Sequence, residues 1–191
     1  MAKNKLLNLV LFICNFFLVC LVMSFIVFTL GMVYWHINPG FFADSPIPDF
    51  GKNALFKYTA VNSSSVVGTP LIISSATINN MSFASMYLLY SQCSTILILI
   101  FMAVREFTNI IRSIRKIQTF VIDNAWSFKK IGKYMFLVFV LSGLQYSVYN
   151  ESTLLGIYIH LPVLVVALIA STLSEIFKEG NALLEDNRGT I

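Results

Sequence analysis

Four long stretches without Lys, Arg, Asp or Glu dominate the pattern of polar and apolar positions along the chain. They cover residues 6–35, 83–104, 134–150 and 152–174. A helix needs about 20 apolar residues to cross a hydrocarbon core about 30 Å thick, because each residue advances it by about 1.5 Å. The pattern therefore predicts an all-α membrane protein, with four transmembrane helices packed as a four-helix bundle in a single domain, residues 1–191.

The segment between the first two stretches, residues 36–82, has a different amino-acid composition. It begins with Pro39-Gly40 and further prolines, which exclude a long helix there. Ala54–Val61 and Ser65–Ile78 are rich in β-branched and aromatic residues and predict two strands. A two-stranded ribbon is marginally stable alone in water, so we expect it to pack on the helix ends or on a second copy of the chain. The fold class thus includes a small β-containing outer segment between helices 1 and 2, serving as a sensing cap or, as its scarce charges favour, as a structural connector.

Basic residues predict the orientation, because cytoplasmic loops of membrane proteins retain Lys and Arg. Residues 105–133 carry seven of them against two acids, which predicts a basic cytoplasmic loop. Lys3 and Lys5 predict a cytoplasmic N-terminus. It follows from this positive-inside pattern that residues 36–82 form an extracytoplasmic insertion and residues 176–191 a cytoplasmic tail.

The composition suits a chain whose solvent is lipid, since 57% of its residues are hydrophobic and 12% are charged. The few polar residues form no recognisable catalytic arrangement. His36 and His160, with the few acids available, do not make a metal site. No Gly-rich phosphate loop or nucleophile elbow occurs. We therefore expect a protein that is not an enzyme, uses no cofactor and does not bind nucleic acid directly.

Apolar residues recur at helical spacing in the basic segment, which predicts that the second helix continues beyond residue 104 as an amphipathic extension. Basic side chains on its other faces allow three interpretations: attraction to anionic headgroups at about 1 kcal/mol per cation, docking of a protein, or ordinary positive charge on a packed helix. The apolar positions are Phe107, Ile110, Ile111, Ile114, Ile117 and Val121.

Three polar side chains interrupt the later stretches: Gln92, Gln145 and His160. Counting about 1.5 Å per residue places them at similar depths on three predicted helices. They predict either a buried cluster that binds a ligand or proton, or hydrogen bonds that join helices, and the second is the more common use of such residues. Asn8 and Asn15, seven residues apart on the first helix, have the same interpretation.

Small residues mark the fourth stretch. Ala167 with Ser171, and Ala170 with Ser174, form small-xxx-small pairs that allow two helices to approach closely. The contact lies either within one chain or between two chains of a homodimer.

Two stretches carry a family resemblance. Phe120-Val-Ile-Asp-Asn124, followed by Phe128-Lys-Lys-Ile131-Gly132, resembles the loop-to-helix signature of bacterial membrane proteins of the domain of unknown function 2975 family. The last 17 residues are similar to that family's tail, although Arg188 and Gly189 stand where an acidic residue and a Leu are usual. The positions that match are Phe120, Asn124, Ile131, Gly132, Phe177, Gly180, Leu183, Asn187 and Thr190.

The resemblance implies four helices and a bacterial inner-membrane location, and the charge pattern described above predicts that both termini are cytoplasmic. Members often lie beside genes for small helix-turn-helix regulators, which implies a soluble cytoplasmic partner. Our leading hypothesis is a non-enzymatic membrane protein that binds such a partner through the matched loop and tail positions, with Gly180 as the predicted end or break of the last helix. The alternative is a small dimeric transporter or channel that uses Gln92, Gln145 and His160, and a third hypothesis is a purely structural membrane component.

Overall fold

A computed structural model of the protein describes residues 2–38, 40, 54–63, 81–115, 122–148 and 152–189. These residues form four helices and a small sheet. The elements in chain order are helix α1 (Ala2–Ile37), strand β1 (Phe56–Ser63), helix α2 (Phe83–Arg115), helix α3 (Ile122–Ser142), strands β2 (Leu144–Val148) and β3 (Ser152–Ile159), and helix α4 (Leu161–Gly189).

Three helices are long and apolar enough to cross a membrane, over Lys5–Ile37, Phe83–Arg115 and Leu161–Asp186. Along α1, large apolar side chains such as Phe12 and Phe16 are exposed. A helix that exposes such side chains is stable where lipid replaces water as the solvent. The architecture therefore indicates a membrane protein, as the composition predicts.

Helix α3 has 21 residues but is not apolar over the length of a membrane span, and the predicted third span over residues 134–150 is wrong in its extent. The helix ends at Ser142, and residues 144–148 form β2. The last charged residue of α3 is Lys133. The nine helical residues that follow it are uncharged and correspond to about 13 Å of helix. Hydrophobicity alone does not separate a buried strand from a helix, which is why the sequence pattern joined the two elements.

The predicted span over residues 152–174 also combines a strand with a helix. Its first eight residues form β3, and α4 begins at Leu161. Pro162 is therefore the second residue of the helix, where its missing N–H costs nothing and its fixed φ suits the first turn. Whether the chain crosses the membrane three or four times stays a prediction.

In the described part of the chain, the sheet has three antiparallel strands in the order β1-β3-β2. In its register Phe56 pairs with Ile159, Ser63 with Ser152, and Leu144 with Ile157. The structure confirms a strand close to the predicted Ala54–Val61. Among the described residues its partner is β3, a pairing that the sequence analysis did not predict. The predicted strand Ser65–Ile78 lies outside the described residues.

The chain divides into two compact units. The first unit comprises Met1–Met23, Leu97–Val138 and Pro162–Ile191, and the second comprises Ser24–Ile96 and Phe139–Leu161. Helices α1 and α2 each contribute residues to both units. Each unit has its own network of contacts.

Buried residues of α2, α3 and α4 form the core of the first unit. Ala103 and Ile110 pack with Phe128 and Ile131 and with Ala170. Helix α2 continues to Arg115, as the apolar spacing predicts, and Ile110 and Ile111 are buried there; Ile117 and Val121 lie outside the described residues. The predicted loop over 105–133 is thus mostly the end of α2 and the start of α3. Helix α4 also continues through Gly180 to Gly189, so a helix end at Gly180 is wrong.

A carboxylate links α2 to α3 in the same unit. The Glu106 carboxylate accepts a hydrogen bond from Ser127 Oγ at 2.9 Å and an ion pair from Lys130 Nζ at 3.2 Å. The Glu106 side chain is 14% exposed, whereas that of Lys130 is 52% exposed. Solvent therefore screens the lysine far more than the carboxylate.

The Ser127 hydroxyl should contribute more to stability than the Lys130 ammonium does. We expect Ser127→Ala to lower the free energy of unfolding by about 1.5 kcal/mol, since the hydrogen bond ends on a charged, mostly buried acceptor. Lys130→Gln should cost about 0.5 kcal/mol, which is typical of a half-exposed ion pair. Denaturant titration of the purified chain in detergent measures both values, and a larger loss for Lys130→Gln would contradict the assignment.

Candidate functional site

Several positions that match the family signature lie inside the first unit. Asn124, Ile131 and Gly132 are buried in α3. A Cβ added to Gly132 would lie 2.6 Å from Ser171 Oγ and 3.3 Å from the carbonyl oxygen of Ala167. The glycine therefore lets α3 approach α4 closely. These residues contribute to helix packing, and their part in partner binding stays a prediction.

The small residues of α4 contact α3 of the same chain. Ser174 Oγ donates a hydrogen bond of 2.8 Å to the carbonyl of Ala125, and both residues are buried. The Phe177 ring packs on Phe128 with ring centroids 5.0 Å apart. The small-residue face thus serves a contact within the chain, and a homodimer stays a prediction.

The end of α4 presents apolar side chains on its outer face. Ile176 is 51% exposed and Leu183 is 65% exposed. Seven residues at about 100° each place these two side chains about 20° apart around the helix. Phe177, on the buried side, lies about 100° from Ile176. Packing within the first unit does not explain why these two large apolar side chains are exposed at the charged end of the helix.

Acidic residues flank this apolar pair. Glu175, Glu179 and Asp186 are exposed and lie within an arc of about 40° beside it, because their spacing is i, i+4 and i+11. Glu175 also lies 3.9 Å from Lys178 Nζ, an exposed pair that contributes little. We call Ile176, Leu183 and these three acids the tail stripe. Of the other matched positions, Gly180 and Asn187 lie within α4, and Phe120 and Thr190 lie outside the described residues.

An exposed helical row of this kind can dock into the groove of another protein. Anchors two turns apart fit an apolar groove, and a row of carboxylates selects a groove with basic edges. The sequence identified Leu183 but not Ile176, which lies in the predicted tail, residues 176–191, but is not among the positions that match the family pattern. The signal that identifies it is the seven-residue spacing from Leu183.

The three polar residues of the predicted membrane cluster lie in the second unit, but their placement on three helices is wrong. Gln92 is on α2, Gln145 is on β2, and His160 lies between β3 and α4. Gln92 Nε2 donates hydrogen bonds to the carbonyls of Leu141 and Leu144 at 2.5 and 2.6 Å. Gln92 therefore joins α2 to the end of α3 and the start of β2.

Gln145 takes part in a separate contact inside the sheet. Its Oε1 accepts a hydrogen bond of 2.9 Å from the Tyr158 hydroxyl, and both residues are buried. A Cβ on Gly156 would lie 2.5 Å from the Tyr158 hydroxyl oxygen, so the glycine leaves room for the ring to reach Gln145. The His160 ring lies beside Tyr158, with centroids 6.5 Å apart. These contacts hold neighbouring strands together.

A metal site is not seen in the part of the chain that the structure describes. There, no group of three or more His, Cys, Asp or Glu side chains is arranged to hold a metal ion.

A basic groove between α1 and α2 in the first unit escaped the sequence analysis. It is a cavity of about 540 Å³, and we call it the α1–α2 groove. Arg115 Nη1 donates a hydrogen bond of 3.2 Å to Asn8 Oδ1 across it. The spacing of the two asparagines places them on one face of α1, and the spacing of the two arginines places them on one face of α2. The sequence does not reveal that these two faces meet. The lining residues are Asn8, Leu11, Phe12, Asn15, Arg112 and Arg115.

Comparison with known proteins gives one match. A family model described as "Protein of unknown function (DUF2975)" matches residues 57–191. The searches of curated proteins and of solved structures returned no match.

Proposed function

The chain belongs to the DUF2975 family, and from this membership, its membrane-length helices and its exposed helix end we propose that it is a membrane protein that binds a soluble partner. The tail stripe is the docking surface. The bilayer anchors the chain, and the protein works by holding its partner at the membrane and not by catalysis or through a cofactor.

The observation that carries this proposal is the exposure of Ile176 and Leu183 among carboxylates. Burial of a leucine-sized side chain is favourable by about 1.5–3 kcal/mol, so two such anchors on one face favour association with an apolar groove. The acids add selectivity, because like charges repel partners with acidic surfaces. We therefore infer a partner whose groove is apolar at its floor and lined with Lys and Arg at its rim.

The compartment follows from charge. Positive residues at the N-terminus and around residues 105–133 favour the cytoplasmic side of a bacterial inner membrane, which leaves both termini in the cytoplasm. The family resemblance makes a small transcriptional regulator the first candidate partner. Recruitment of a regulator to the membrane requires no direct contact of this chain with nucleic acid.

A photo-crosslinking amino acid at position 183 tests the proposal in native membranes. We expect one soluble protein to crosslink at that position and to be identified by mass spectrometry. With that protein purified, Leu183→Glu should weaken binding to the full chain at least about tenfold, since it removes an anchor and adds a charge to the buried contact. Binding should also weaken as salt rises.

Leu184→Glu is the matched control, because it makes the same substitution at an exposed neighbour about 100° around α4 from Leu183, on the side away from the three acids. It should retain binding within about twofold of the wild type. Equal losses for the two variants, or no crosslink at position 183, would refute the tail stripe as the docking surface.

The transporter hypothesis receives no support from the described contacts. Gln92 and Gln145 use their polar atoms in hydrogen bonds to the protein itself.

A further inference from the structure

We propose that the α1–α2 groove binds the phosphate of an anionic phospholipid. This site is distinct from the tail stripe and gives the chain a preference for the lipid that surrounds it. Basic pockets between transmembrane helices are a recognised way to bind anionic headgroups.

The polar part of the groove suits a phosphate group. Arg112 and Arg115 lie three residues apart on α2, so their guanidinium groups point to neighbouring parts of the same face. Among the described residues neither guanidinium is paired with a carboxylate, and Arg115 bonds to the neutral amide of Asn8. Two planar donors that lack an acidic partner can bind the oxygens of one phosphate in a bidentate manner. Asn8 and Asn15 supply further amide donors.

The apolar part of the groove distinguishes a lipid from a soluble anion. Leu11 is buried in the wall, and Phe12 is 69% exposed beside it. Phe16 and Val19 continue the exposed face of Phe12 along α1, at intervals of four and seven residues. An acyl chain would cover these side chains while its headgroup stays with the arginines. A free phosphate or an acidic peptide would leave them uncovered.

Lipid titration of the purified full chain, followed by native mass spectrometry, tests the proposal. The probes are dioleoylphosphatidylglycerol, dioleoylphosphatidylcholine and inorganic phosphate. We expect the anionic lipid to bind at least about tenfold more tightly than the zwitterionic lipid. The double variant Arg112→Gln/Arg115→Gln should bind phosphatidylglycerol roughly 10- to 30-fold more weakly, which corresponds to the loss of two cations near the headgroup.

The control variant Lys129→Gln/Lys133→Gln removes the same charge from exposed positions on α3 and should bind as the wild type does, within about twofold. Arg112→Lys/Arg115→Lys should keep the lipid preference if the glutamine pair does not fold. Equal affinity of the wild type for the two lipids, an equal loss in the α3 control, or displacement of bound lipid by inorganic phosphate would overturn the assignment. Leu183→Glu should leave lipid binding unchanged, which separates this site from the tail stripe.

Discussion

Replacing Gly132 by leucine should destabilise the first unit more than any other single change considered for this protein. Even a bare Cβ at this position would lie 2.6 Å from Ser171 Oγ, which is too close, and 3.3 Å from a backbone carbonyl oxygen, which is a tight contact. Three further carbons would force α3 and α4 apart across their buried contact. We expect a loss of about 3 kcal/mol or more in the free energy of unfolding, and a fall of roughly 6–12 °C in Tm, measured in mild detergent.

Gly31→Ala is the matched control, because nothing lies within 4 Å of a Cβ built on that helical glycine. It should be neutral or stabilise by up to about 1 kcal/mol through helix propensity. Gly132→Ala should lie between the two extremes. Combining Gly132→Ala with Ser171→Ala should recover part of its loss, because the nearest clashing atom is then removed. A stable Gly132→Leu variant would show that the helix contact at this point is wrong.

Replacing Gln92 by glutamate should have the second-largest effect. The Gln92 amide donates to two carbonyl oxygens at 2.5 and 2.6 Å. A carboxylate places a negative charge against both acceptors, and a protonated carboxyl has one hydrogen to offer two of them. Since Gln92 lies on a membrane-length helix, we expect a cost of about 3 kcal/mol, comparable to that of an acidic side chain within a bilayer.

Gln92→Leu separates the loss of donors from the addition of charge. It removes both hydrogen bonds without a charge and should cost about 1–2 kcal/mol. In unfolding titrations, the free energy of unfolding should therefore be highest for the wild type, lower for Gln92→Leu and lowest for Gln92→Glu. Equal stability of the wild type and the glutamate variant would contradict a donor role, and would reopen the question of an ion-binding function for this residue.

The sequence predicts the helical class and the family, but not where the later helices end. The length of the uncharged stretches predicts α1 and α2 well, because only a helix extends over so many consecutive apolar residues. In residues 134–150 and 152–174 the same criterion fails, since β2 and β3 lack charged residues just as the adjoining helix segments do. The strand β3 is bonded on both sides, and its burial alternates at Leu154 and Tyr158. That alternation is the period-two signal that a count of charges overlooks.

The sequence likewise reveals some of the candidate functional positions and not others. The spacing of Ile131 and Gly132 in the family signature comes from packing against α4, a role that sequence similarity does not distinguish from partner binding. The tail stripe could be found only in part, because the exposure of Ile176 depends on which face of α4 the rest of the unit covers. The α1–α2 groove could not be found, because it joins residues about 100 positions apart.

The pairing of β1 with β3 has a consequence for how the protein is made. The ribosome completes β1 about 90 residues before the first residue of β3 emerges. At about 5–20 residues per second, this strand waits for several seconds beside a membrane without its neighbour. An unpaired strand can meanwhile join strands of other chains. Slow synthesis or a stop near residue 150 should therefore cause aggregation, whereas loss of the last helical turns of α4 should not.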